Sequence, residues 1–375
     1  MRLRDIIPYT TGFFSPGILW LTLWIVCNSQ ALFSQTAGIE DGFVPDKTVE
    51  KLAVEADRRF FPLFMESFRW LETTNIQRTY HYYRSLPILP KVSSQVIKTK
   101  PALLKVNPVY SIPRYAVEPY QITFPVKWSD KVNPDPSWRL WFQSLIWLRP
   151  YLAGNDVDSL SVGYCIIDEW IRSHTKYPFK DEEFAYDDHA LAERALILAE
   201  ALEKQRKYHI DDRQVVIRIQ LALLNHLFFL CSLQRYTCWH NHAIIYDEKL
   251  IETLKLLPHL KMREEMLLVG FNRVFEQYRF SYSPDGVHKE HSPCYHAGFT
   301  GTLNSLIASA RELNVEISPA IAELQDNANQ YTRYINKMGS NFPVGDCSRA
   351  SVISGNERKK TGRILSPGIP GTPMR

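Results

Sequence analysis

Four stretches of the chain repeat apolar side chains every three or four residues. They are Trp141, Leu145 and Leu148; Leu191, Ala195, Leu198 and Leu202; Val216, Ile219 and Leu223; and Leu267, Phe271, Val274 and Tyr278. This spacing lines up each set on one side of an α-helix, and such a stripe must be buried against another element. Polar breaks separate the stretches, with Asp211 and Asp212 as acidic caps ahead of the third. Amphipathic helices of roughly 12 to 20 residues joined by polar loops predict an all-α domain. No internal sequence repeat is visible, so the pattern fits a helical bundle and a circular array of helix pairs equally well.

The rest of the sequence sets the limits of that domain. With 375 residues, 45% of them hydrophobic, the chain is long enough for one large core or two. A formal charge of +4 with scattered Lys and Arg argues against nucleic acid and is compatible with an acidic glycan. Nine tryptophans are expected mainly between helices, and stacking of one of them on a sugar is the sharper reading.

At the N-terminus, Arg2 and Arg4 precede the apolar run from Ile18 to Cys27, with Ser29 and Ala31 behind it. This reads as a signal peptide over residues 1–31, shorter than the about 20 apolar residues of a membrane span. Periplasmic or secreted placement follows, with a membrane-anchored form as the alternative. Residues 32–125 are proline-spaced and irregular, as in Leu86-Pro-Ile-Leu-Pro90, and are expected to pack on a helical domain over 126–350. Residues 351–375 carry Arg358, Lys359, Lys360 and Arg363 among Gly and Pro and read as a flexible basic tail. Beyond the signal segment, Cys165, Cys231, Cys238, Cys294 and Cys347 contain no CxxC pair; free thiols are expected, with no metal framework and no cofactor.

The densest polar segment is Asp285 to His296, DGVHKEHSPCYH. Its Asp-Gly and Ser-Pro steps predict a loop running into a helix that begins near Tyr295 and His296. Its histidine spacing fits no zinc pattern. Three other patches accompany it: the tryptophan-rich Trp138 to Leu148; Asp187-Asp188-His189-Ala190 with Glu193-Arg194; and Trp239-His240-Asn241-His242. Asn341 to Asp346 follows. Read by themselves, Asp187, Asp188 and Asn241 are helix caps, and Tyr295 is a half-buried aromatic.

In order and wording these patches resemble the heparinase II/III-like proteins, bacterial lyases of acidic polysaccharides. The resemblance implies an α/α toroid, here an incomplete one built of helical hairpins. It also implies β-elimination, in which a proton leaves C5 of a uronic acid as the C4 glycosidic oxygen departs. That proton is weakly acidic, so the neighbouring carboxylate must be neutralised and the enolate hydrogen-bonded while a base acts. The match assigns Asn241 to the carboxylate and Tyr295 to the base or acid. A phenol titrates near about 10, so Tyr295 needs a positive or hydrogen-bonded setting, for which His240, His242, His291 and His296 are available. His189, Arg194, His240, His242, Glu290 and His296 are the expected substrate contacts. Such lyases continue into a β-sandwich domain that supplies a further histidine; none follows Asp346 here, which implies truncation, a partner, or a substitute histidine. The alternatives are a glycoside hydrolase using carboxylates such as Asp188 and Asp285, and a non-catalytic glycan-binding or assembly module.

Overall fold

The computed structural model describes residues 95–111, 119–128, 135–174, 182–205, 207–233, 236–258, 260, 263–290 and 292–337. The expected signal segment and basic tail lie outside them, as do most of the proline-spaced stretch, His291, Asn341 and Asp346. The described residues fall into two compact units, one of 95–236 with 241–274, the other of 237–240 with 275–337.

The all-α expectation holds. Strands among the described residues are only two residues long: β1 (Val96–Ile97) pairs in parallel with β4 (His209–Ile210), and β2 (Val109–Tyr110) pairs antiparallel with β3 (Tyr120–Gln121). The first unit contains α1 (Pro136–Ser144), α2 (Arg149–Ala153), α3 (Val157–Ser173), α4 (Glu182–Ala185), α5 (Asp188–Lys204), α6 (Arg213–Cys231) and α7 (Asn241–Lys255). Helix α8 (Arg263–Ser281) begins in it. The second unit holds the end of α8, then α9 (Pro293–Glu312) and α10 (Pro319–Lys337).

Carboxylates start the main helices of the first unit. Asp135, Asp156, Asp187 and Asp212 each accept a hydrogen bond from an N–H of the first turn, satisfying donors that have no partner inside the helix. Asp211, the other expected cap, instead accepts from the backbone N–H and the hydroxyl of Thr99, which ties β1 to the start of α6.

The tryptophan-rich stretch departs from its expected single helix. Ser144 donates its hydroxyl to the Trp141 carbonyl and accepts the N–H of Ile146, and Leu145 adopts a left-handed backbone at φ 59°. This local competition for backbone groups stops α1 at Ser144. Leu145 and Leu148 are nonetheless fully buried, on the turn that follows.

Helix α5 lies centrally in the first unit, against α1, α6 and α7. Trp138, Trp147, Trp170, Phe142 and Tyr164 are buried around it, each worth about 1.5–3 kcal/mol in apolar area removed from water. Among the described residues, α6 is the one helix long and apolar enough to cross a membrane, and its apolar window is 83% buried within the protein. Core burial accounts for its composition.

In the second unit, the Asp285–Gly286 turn leads into α9 as expected. Gly286 has φ +75°, and a Cβ there would stand 2.4 Å from the Ala328 nitrogen on α10. Only glycine satisfies both the turn and this close approach. Cys294, at the start of α9, is disulfide-bonded, so the expectation of free thiols fails there. Cys165, Cys231 and Cys238 are not in disulfides, as expected.

Candidate functional site

In the first unit the opening turns of α5 and α7 come together, joined by the Asp188–His242 contact. Their aligned peptide dipoles place about half a positive charge at each N-terminus, a setting that favours an anion. Asp187 caps α5 through the His189 N–H, which also donates to Asp188 Oδ1 at 2.7 Å. Asp188, 8% exposed, holds His242 Nδ1 at 3.2 Å from its Oδ2. The imidazoles of His189 and His242 stack with centroids 4.1 Å apart, and the half-buried Trp141 stacks on His189 at 6.2 Å.

The two carboxyls sit close enough to hydrogen-bond, and burial together with the Asp188 charge pushes Asp187 up to about 7. Asp188 resists its own burial because His242, Asp187 and the charge of His189 favour its ionised form, which holds it below the usual carboxylate range. The pair thus carries one proton at moderately acid pH, with the negative charge on Asp188.

Asn241 is the first residue of α7. Its Oδ1 is buried and has no hydrogen-bond partner among the described residues. A capping asparagine accepts an N–H of the first turn through that oxygen, so Asn241 is not the cap that its position suggests. An unengaged buried carbonyl costs about 1–3 kcal/mol, a cost that helix formation does not explain.

Arg194 is not a substrate contact. Five residues beyond His189, it is rotated by about 140° around the helix, onto the opposite face. It is 0% exposed, and its guanidinium donates to the carbonyls of Gln143 and Ala185 and to His226 Nε2 while lying 3.9 Å over the Trp170 ring. Its three acceptors are neutral, since burial and Arg194 itself hold His226 well below the ordinary histidine range. Burial pulls Arg194 down to about 9. It is a core polar anchor.

The second unit contains the remaining expected residues. His240 is exposed, next to Trp239, whose backbone at φ 60° is fixed by an N–H donated to Gln277 Oε1 and by packing on Phe280. Tyr295 is half-buried in the first turn of α9, in a row with His288 and Phe299. Glu290 is exposed. His296 departs from its expected role: it is 2% exposed, its Nε2 contacts the Thr332 hydroxyl at 2.9 Å, and its Nδ1 accepts the His288 N–H. It holds α9 to α10, and burial lowers its pKa.

Two features escaped the sequence reading. His288 is a buried spacer, packed edge-on to Tyr282 and flat against Phe299. Asp188, read as a cap, is the hub of the α5–α7 cluster. Its Asp-Asp-His wording was the available signal, but the partner His242 lies 54 residues away.

No protein-family model matches the chain, and no curated protein matches it. Among solved structures, the heparan sulfate lyase HepC from Pedobacter heparinus aligns with a TM-score of 0.51 at 14% identity. The fold is polysaccharide-lyase-like. The alignment covers 78% of this chain and 47% of that one, so the chain spans about half the length of this lyase.

Proposed function

We propose that the protein is a polysaccharide lyase acting on a uronate-containing acidic polysaccharide by β-elimination. The observation that carries the reading is the state of Asn241: an amide at a helix N-terminus, half-buried, with its oxygen not engaged in capping. The Nδ2 of such an amide can donate to a carboxylate without adding charge, its Oδ1 is left for a donor such as a sugar hydroxyl, and the dipoles of α5 and α7 favour the same anion. The acidity of the C5 proton rises as that carboxylate is neutralised, and Tyr295 is the group assigned to move it. His189 and His242 are proposed to flank the sugar, with Trp141 offering a ring face; His240 and Glu290, both exposed, are proposed as outer contacts.

The fold likeness to a heparan sulfate lyase supports the class of reaction and the acidic substrate. Export is part of the proposal, supported by the sequence of residues 1–31 and by the disulfide at Cys294, since disulfides persist in oxidising compartments. A second domain or a partner supplying a further histidine is likewise proposed. The alternative, a glycoside hydrolase using carboxylates such as Asp188 and Asp285, is separated from the lyase by its product.

The test is incubation of the full chain with heparan sulfate and other uronate glycans while the ultraviolet absorbance of an unsaturated uronate is followed. Its growth supports the lyase. New reducing ends without that absorbance identify a hydrolase, and binding without either identifies a non-catalytic module.

A further inference from the structure

We propose that Asp188, His189 and His242 form a binding site for one divalent metal ion of the zinc class. Their ligand atoms, a carboxylate oxygen and one ring nitrogen from each histidine, all lie within 4.8 Å of one another. Two imidazoles with one carboxylate are the donor set of zinc and its first-row neighbours, whereas calcium and magnesium take oxygen donors.

The site is built into the fold. Asp188 is 8% exposed, and it is fixed by its own helix turn and by the Asp187 carboxyl. His189 is held between Trp141 and His242, and its position on the first turn of α5 is set by the Asp187 cap. His242 already points its Nδ1 at the Asp188 carboxylate, at 3.2 Å. An ion seated there replaces the hydrogen between these two atoms, and His189 tilts its ring out of the stack to aim an in-plane lone pair at the ion as the third bond. The partial positive charge of two helix ends, about 0.5 each, opposes a cation. The full charge of Asp188 and direct coordination outweigh it.

Three protein ligands leave coordination positions open, as in metal sites that also bind water or substrate. An ion here is a Lewis acid next to Asn241 in sequence, suited to a uronate carboxylate oxygen. That role rests on the lyase reading. Binding of the ion does not.

The experiment uses the untagged full chain, stripped with chelator and titrated calorimetrically with zinc chloride alone. One ion per chain is expected, with binding weakened at least tenfold in His189→Ala and in His242→Ala. X-ray absorption of the zinc-loaded wild-type chain is expected to count two imidazole ligands, a readout that needs no variant to fold. No bound ion, an affinity unchanged in the double variant, fewer than two imidazoles, or calcium binding in preference to zinc would each overturn the site. None of these readouts involves glycan cleavage, so the site and the lyase reading fail separately.

Discussion

Asp188 Oδ2 and His242 Nδ1 meet at 3.2 Å and join the first turns of α5 and α7 across 54 residues of sequence. The contact is largely shielded, with side-chain exposures of 8% for Asp188 and 32% for His242. Asp188→Asn removes the charge from this hydrogen bond and from the one accepted from the His189 N–H. A loss of about 1–3 kcal/mol in urea unfolding is expected. A change below about 0.5 kcal/mol would mean that the two helices are held by apolar packing alone.

Asn241 separates stability from chemistry. Because its Oδ1 has no partner among the described residues, Asn241→Ala is expected to leave the unfolding midpoint nearly unchanged or slightly raised. The same variant is expected to lower the rate of unsaturated-uronate formation by about 100-fold or more, the usual effect of deleting a donor to a developing anion. Tyr295→Phe is expected to lower that rate comparably while glycan binding persists. A destabilised Asn241→Ala chain with full turnover would reverse the assignment.

Arg194 makes the opposite prediction. Arg194→Met strands the Gln143 and Ala185 carbonyls and His226 Nε2 in the core. At about 1–3 kcal/mol for each buried polar group, a loss of at least about 3 kcal/mol is expected. Arg194→Lys recovers only part of it, since an ammonium lacks the planar fork. Loss of glycan affinity without loss of stability would restore Arg194 to the substrate contacts.

Two buried histidines of the first unit contribute stability that is lost in acid. His174 stacks on Trp170, and burial lowers its pKa from the ordinary 6.5 to about 3. His226 is likewise held well below 6.5 by burial and by Arg194. The unfolded chain takes up these protons as pH falls below 6.5 and the folded chain does not. The histidines' contribution to stability is therefore full above pH 6.5 and declines between 6.5 and about 3, by up to about 1.4 kcal/mol per pH unit for each, while Asp187, raised to about 7, contributes in the opposite direction over the same range. Urea midpoints of the wild type and of His174→Gln at pH 7, 6 and 5 isolate this, and the difference between the two is expected to change steadily with pH, the wild type losing more stability as pH falls. A wild-type minus His174→Gln difference that does not change with pH over that range would contradict it.

Gly286→Ala tests the turn before α9. The backbone at φ +75° disfavours any Cβ, and the built Cβ meets backbone atoms of Asn327 and Ala328 at 2.4 Å. Backbone cannot yield as a flexible side chain does, so a loss of about 2 kcal/mol or more is expected in thermal or urea unfolding. An unchanged midpoint would show that the turn rearranges freely.

The helices were legible because burial periodicity is a local property. Leu191, Ala195, Leu198 and Leu202 are all fully buried on α5, as their spacing requires. The caps Asp187 and Asp212 were legible for the same reason: a carboxylate before an apolar stripe satisfies N–H groups two residues away. The end of α1 was not, because the Ser144 hydroxyl competes with the backbone and helical spacing does not register that.

Side-chain orientation divided the candidate residues. The sequence by itself determined that the chain is helical and that polar groups gather before α5, α7 and α9. Only the tertiary structure turned Arg194 and His296 into the interior, left the Asn241 oxygen without a cap to serve, and joined Asp188 to His242. The reason is geometric. A helix fixes the angle between its own residues, but which angle faces solvent, and which distant helix stands opposite, is decided only when the apolar stripes pack.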